Sequence, residues 1–222
     1  MKRIVAILAL TLCLTPLRGQ KYEFTLLGED LVISGENPLQ VSDTTAFVNA
    51  MLWTADKAGK GKDNIISCSW KNFKAEILLK TAEPGHGTYS AVLSFRVEDG
   101  LLSYMVRKVK KHPVSGIKIG VDLEMFYPPS RPSQTETLNE ATLLIGNLLD
   151  ELEAFVAGNV PDIDWGLENA IAQKTVRGMT KDECLLAAGK PLEVSVTGKK
   201  ETWRYDDGRC LIFESGRLKT TL

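Results

Sequence analysis

The stretch from Arg177 to Pro191 constrains this chain more than any other. Thr180 is a good N-cap, because its hydroxyl accepts a bond from an otherwise unpaired N–H of the first helical turn. Glu183, three residues on, reaches back to the cap's own N–H and completes a capping box. Gly189 ends the short apolar helix and Pro191 prevents it from restarting. Beyond it come Glu193-Val194-Ser195-Val196, a Trp203-Arg204-Tyr205 strand, an Asp207-Gly208 turn, and Leu211-Ile212-Phe213 closed by Ser215-Gly216. The pattern predicts a compact helix-then-hairpin unit. It sets an architecture and implies no reaction.

That unit resembles the SmpA/OmlA (BamE-like) domain of bacterial envelope proteins. The residues carrying the likeness are Val176, Gly178-Met179-Thr180, Glu183, Gly189-Lys190-Pro191, Trp203, Tyr205, Phe213 and Gly216, within the segment 176–222. Capping chemistry alone would not demand the methionine. The resemblance implies a protein-interaction module, with outer-membrane assembly as its best-known setting and no active site. Two departures stand out. Cys184 replaces a usual aliphatic residue, and the mature chain has no lipoprotein cysteine at its start, so membrane anchoring does not carry over.

Met1-Lys2-Arg3 followed by an apolar run to Leu17 reads as an export signal over residues 1–20, with a small residue, Gly19, for cleavage. Cys13 follows the bulky Leu12, which argues against lipidation. The expected location is therefore the periplasm or the outer-membrane surface, unlipidated. Removing Lys2, Arg3 and Arg18 takes the formal net charge from −1 to about −4, a poor match for nucleic acid. The mature chain keeps Cys68, Cys184 and Cys210, an odd number, and no C-x-x-C spacing.

The preceding chain predicts an α+β domain over 21–157 and a linker over 158–175. Tyr22 to Leu27 alternates as a strand, and Leu31-Val32-Ile33 extends or pairs with it. Ser42-Asp43 caps a helix whose Phe47, Val48, Met51, Leu52 and Ala55 mark one buried face. Strand-like runs follow at Ile65 to Trp70 and Phe73 to Leu79. Asp99-Gly100, between two alternating runs, is a hairpin signal, because both residues tolerate positive φ. Pro128 to Pro132 reads as a stiff, extended connection. A long amphipathic helix runs from Thr137 through Leu138, Ala141, Ile145, Leu148, Leu149, Leu152 and Phe155 to Gly158. This order predicts an antiparallel sheet with two helices on one face. It is similar to a secreted domain of unknown function with a TATA-binding-protein-like fold. That likeness implies no DNA binding, since a fold does not carry its function with it.

Few residues point to chemistry. Cys68 with His86 or His112 lacks any local signature of an activated nucleophile. Asp150, Glu151 and Glu153 read as a solvated helix face. Arg107, Lys108, Lys110 and Lys111 form the one marked basic cluster, at the end of a strand leading into a loop. They form a candidate contact for anionic headgroups or an acidic partner, weighed against a solvated edge whose lysines block strand pairing. Trp203 and Tyr205 share a strand face, as a candidate contact patch or as core. With Asp207-Gly208 as a two-residue turn, Tyr205 faces Cys210, and Cys184 and Cys210 meet between helix and sheet as packed thiols or a disulfide.

The expectation is a non-catalytic interaction or scaffold module with an envelope protein partner and possible contact with a membrane surface. No catalytic residue, metal or cofactor is implied. The alternatives are an enzyme such as a hydrolase, with its site in the first domain, or a carrier of lipid or small ligand. A concave pocket of convergent polar groups distinguishes these from an exposed contact surface.

Overall fold

The computed structural model describes residues 21–57, 64–81, 87–112 and 120–222. The export signal, the turn at 58–62, His86 and the stretch 113–119 lie outside the described residues.

Strands β1 (Thr25–Leu27), β2 (Asp30–Pro38), β3 (Ile65–Ser69), β4 (Lys74–Thr81), β5 (Thr88–Glu98), β6 (Leu101–His112) and β7 (Val121–Asp122) make one seven-stranded sheet. Its order is β1-β2-β6-β5-β4-β3, with β7 on β6, and every pairing is antiparallel. Asp99 and Gly100 have φ of 53° and 73°, as the hairpin between β5 and β6 requires. The carboxylate of Asp43 accepts both of their N–H groups, at 3.0 and 2.9 Å, tying the turn to the first helix.

Alternation along β5 and β6 gives the sheet two unlike faces. Tyr89, Ala91, Leu93, Phe95, Val97, Leu102, Tyr104 and Val106 are buried on one. Helices α1 (Asp43–Lys57) and α2 (Pro132–Gly158) cover it. The Phe47 ring of α1 lies 6.1 Å from Phe95, and the Tyr104 hydroxyl donates to Glu153 of α2 at 2.7 Å. The expected α+β arrangement, with two helices on one face, is what forms.

Two features of the helices depart from the sequence reading. Helix α2 begins at Pro132, inside the stretch read as extended, because a proline at the first helical position loses an N–H that would go unpaired anyway. Helix α1 is buried without a break from Ala46 to Ala55, where one buried face was expected. Its second covering is helix α4 (Lys181–Ala188) of the C-terminal segment, which packs against it. Asn49 of α1, fully buried, donates to the carbonyls of Val156 and Asn159 at 3.1 and 2.9 Å, and so caps the end of α2.

After α3 (Leu167–Ile171) and α4, strands β8 (Glu193–Thr197), β9 (Lys200–Arg204), β10 (Cys210–Glu214) and β11 (Arg217–Thr221) form a four-stranded antiparallel sheet in the order β11-β10-β9-β8. The helix-plus-hairpin is thus a helix on a four-stranded meander, with β11 added. Its register also differs from the expectation. Cys210 pairs with Arg204 and Leu211 with Trp203, one residue away from the two-residue-turn register. Gly208 N–H bonds the Tyr205 carbonyl at 3.2 Å, Tyr205 N–H bonds Arg209 at 3.0 Å, and Gly208 has φ of 84°. These features define a three-residue loop with glycine in the left-handed position. A shift of one residue reverses every side chain. Cys210 therefore lies on the face away from Trp203, Leu211 and Phe213, while Cys184 is fully buried beneath the helix. The expected Cys184–Cys210 pair does not form, and neither cysteine is in a disulfide.

Candidate interaction surfaces

The face of the seven-stranded sheet opposite α1 and α2 carries side chains in cross-strand rows. One row runs Lys74, Arg96, Ser103, Glu36; the next runs Glu76, Ser94, Met105, Ser34. Beyond them Leu78 and Val92 sit beside Arg107. A groove of about 500 Å³ crosses the first two rows, lined by Ser34, Glu36, Lys74, Ser94, Arg96 and Met105 among others. Ion pairs lie at and beside it. Arg96 pairs with Glu98 at 2.5 Å, and Arg107 pairs with Glu76, which also accepts from Ser94 at 3.2 Å. The Arg107 guanidinium holds the Glu76 carboxyl below the usual carboxylate range.

The basic cluster sits here, and the structure divides it. Strand β6 continues to His112 instead of ending in a loop, with Lys108 at φ of 53° and a register shift opposite Ser90 and Val92. That bulge sends Arg107 and Lys110 to the uncovered face, and Lys111 to the helix side. Lys110 pairs with Asp122 at 3.1 Å and Lys111 with Glu140 at 3.6 Å. Lys108 is exposed. The four cations do not make one patch. Nor are they a protective edge, because β6 lies inside the sheet between β5 and the pair β2 and β7.

The acids of α2 also separate. Glu151 pairs with Lys57 at the surface, at 2.5 Å. Glu153 is buried, a correction to the solvated-face reading, and gathers Tyr22, Tyr104 and Lys21 at 3.2, 2.7 and 2.5 Å. Asp150 accepts from Tyr22 at 2.8 Å. Burial, reinforced by these carboxylates, pushes both phenols well above their ordinary pKa. The cluster binds the segment at Tyr22 to α2, where Gly146 makes room for the ring: a Cβ there would lie 2.7 Å from Tyr22 Cδ2. No sequence signal marks Tyr22 or Tyr104 as its members.

Cys68 and His112 are far apart. Cys68 is in the row of Phe95 and His112 in that of Thr88, about 23 Å further along β5 by strand rise. His112 instead meets Ser90 Oγ at 2.7 Å, and Cys68 Sγ lies 3.9 Å from Met51 Sδ. Among the described residues, no three His, Cys, Asp or Glu side chains are grouped to hold a metal.

In the C-terminal segment the expected contact residues are core. Trp203 and Tyr205 are buried, the former against Phe213 at 4.7 Å and the latter donating to the Gly189 carbonyl at 3.1 Å. The capping box forms, with Thr180 N–H on Glu183 Oε2 at 2.8 Å and Glu183 N–H on Thr180 Oγ1 at 3.1 Å. Glu183 is fully buried and accepts two more backbone donors, Asp164 at 2.7 Å and Gly166 at 2.8 Å. It fastens the segment before α3 to the start of α4. Burial and the neighbouring Glu183 charge push the Cys184 thiol up to about 12.

The exposed feature of this segment is its edge. All five residues of β8 are exposed, with Val194 at 50% and Val196 at 66%, and Leu192 just before them at 49%.

The arrangement defines an α+β protein built of a helix-covered antiparallel sheet and a second, smaller antiparallel sheet. Two solved structures are similar to it. One is a DUF4468 family protein from Bacteroides ovatus, 12% identical, with a TM-score of 0.46 over 64% of this chain and 93% of that one. The other is a TBP-like protein from Parabacteroides distasonis, 12% identical, with a TM-score of 0.49 over 61% of this chain and 98% of that one. No protein-family model and no curated protein matches the chain.

Proposed function

We propose that this is an exported envelope protein, periplasmic or associated with the outer membrane without lipidation, that works as a non-catalytic interaction or scaffold module. Its C-terminal segment acts as a BamE-like unit joined to a TATA-binding-protein-like one. The observation that supports this reading best is the uncovered sheet face. Its groove is shallow and extended, with Met105 lying among Ser34, Ser94 and Ser103 and with the ion pairs of Arg96 and Arg107 beside it. An apolar side chain ringed by polar ones is in keeping with a protein contact. The buried carboxylate of Glu153 supports the same reading, because its bonds go to groups that hold the fold.

The test is affinity capture of the processed protein from its native envelope, comparing the wild type with Met105→Asp and with a surface control on α2, Leu143→Asp. The expected result is a discrete protein partner held by the wild type and the control and lost with Met105→Asp. Recovery of lipid or small molecules alone from the groove would favour the carrier reading.

A further inference from the structure

We infer that strand β8 is a self-association edge, on which a second copy of this chain adds its own β8 antiparallel to make one eight-stranded sheet across a two-fold axis. The inference rests on the reading of the protein as a contact module but uses a different sheet from the one that carries the Met105 groove.

The two edges of the C-terminal sheet are treated differently. The β11 edge carries Arg217 and Lys219, and its pairing to β10 shifts register between Ile212 and Phe213. Edge charges and bulges are the usual means of preventing strand addition. The β8 edge has no bulge, and its one charge, Glu193, stands at its first position. Its pairing with β9 is regular over all five residues, and it contains no proline. The apolar side chains also fall on one side. Val194 pairs with Trp203 and Val196 with Glu201, so both point to the face on which α4 packs. Helix α4 has eight residues; the chains it buries, Trp203, Leu211, Phe213 and Leu218, belong to β9, β10 and β11. Val194 and Val196 are left bare beside it.

The occupant follows from the strand's own sequence. Glu193 stands at its start, and Lys199 and Lys200 follow its end. Antiparallel pairing of two copies brings the acidic start of each beside the basic end of the other. With the axis at Ser195, Val194 meets the partner copy's Val196 on one face, and Glu193 lies opposite the partner copy's Thr197, beside the turn that carries Lys199. Glu193 already holds Arg204 at 3.4 Å, but both side chains are more than half exposed, so the carboxylate has room for a second cation. Shifting the axis to Val196 leaves one valine pair and sets Val194 opposite Gly198, and shifting it to Val194 leaves one valine pair and sets Val196 opposite Leu192, which lies outside the strand.

The register makes the test specific. In a background of Cys68→Ser and Cys210→Ser, Ser195→Cys places two thiols directly across the axis, within the Cα separation of about 4.4–6.8 Å that a disulfide needs. Thr197→Cys places them four residues apart, about 13 Å by strand rise. Under mild oxidation Ser195→Cys should give a covalent dimer at least about tenfold faster than Thr197→Cys. Adding Val196→Lys should abolish the difference while leaving the circular dichroism spectrum of the reduced protein unchanged. A Ser195→Cys protein that stays monomeric, or links no faster than Thr197→Cys, overturns the inference. Since the measurement uses purified protein and leaves Met105 intact, its failure would not bear on the groove, nor would loss of partner capture bear on β8.

Discussion

Glu183 has no exposed surface, yet its carboxylate faces only backbone donors: Thr180, Asp164 and Gly166. Glu183→Ala strands these N–H groups in the interior, a loss of about 2–4 kcal/mol on the usual cost of buried unpaired donors. Gly166→Ala should act on the same site, because a Cβ there would lie 2.5 Å from Glu183 Oε2. Chemical denaturation of both single variants and the double variant checks this. The double should lose clearly less than the two losses added, as coupled neighbours do. Half of this site was legible. The Thr180–Glu183 box lies within one turn and shows in the sequence, whereas Asp164 and Gly166 are brought in from outside the helix by folding. The cysteines give a second residue-scale outcome. In the native protein Cys68 should alkylate first and Cys184 only on unfolding. The Cys184 pKa is raised from 9.0 to about 12, so the folded state keeps a proton that the unfolded chain gives up. Its contribution to stability should be complete below pH 9 and be lost as the pH rises towards 12.

Turn chemistry decided what could be read at the scale of elements. Asp99-Gly100 was legible because two residues between two alternating runs admit one register. Asp206-Asp207-Gly208 was not, because an Asp-Gly pair also closes a three-residue loop when the preceding residue joins it, and only pairing with the rest of the sheet chooses. Gly208→Ala should cost about 1 kcal/mol, the penalty of a side chain at positive φ, read as a fall in the denaturation midpoint. The basic run failed for a similar reason: a bulge at Lys108 breaks the alternation by which a strand is recognised, although the strand continues. Arg107 then meets Glu76 across the sheet, two strands away. Glu76 has its carboxyl lowered from 4.5, so its stabilisation should be complete above that value and be lost as the pH falls through the lower folded value. Glu76→Gln should therefore lower the melting temperature at pH 7 by the equivalent of about 1 kcal/mol or less, since both partners are partly exposed, and by less at pH 3. Melting curves at the two pH values test the sign.

For the molecule as a whole, α1 is the shared element. One side faces the large sheet and α2, another faces α4, and Lys190 reaches Asp56 at 2.8 Å beyond them. The buried apolar residues of both sheets form one continuous cluster. The sequence shows only the first side of α1, because an amphipathic pattern cannot say that a polar-looking Asn49 or Thr54 will be enclosed by a helix more than a hundred residues away. Calorimetry should accordingly give one cooperative transition, and Leu186→Asp in α4 should lower it as a whole; two separate transitions would show that the segments melt independently. The groove on the uncovered sheet face remains the part of the molecule on which the functional reading depends. Its most direct test is a photo-crosslinking side chain placed at Met105, at Ser94 and, as a control, at exposed Leu143 on α2, followed by irradiation in the intact envelope. The account predicts one discrete protein adduct shared by Met105 and Ser94 and absent at Leu143. Equal labelling at all three positions, or adducts with lipid alone, would contradict it.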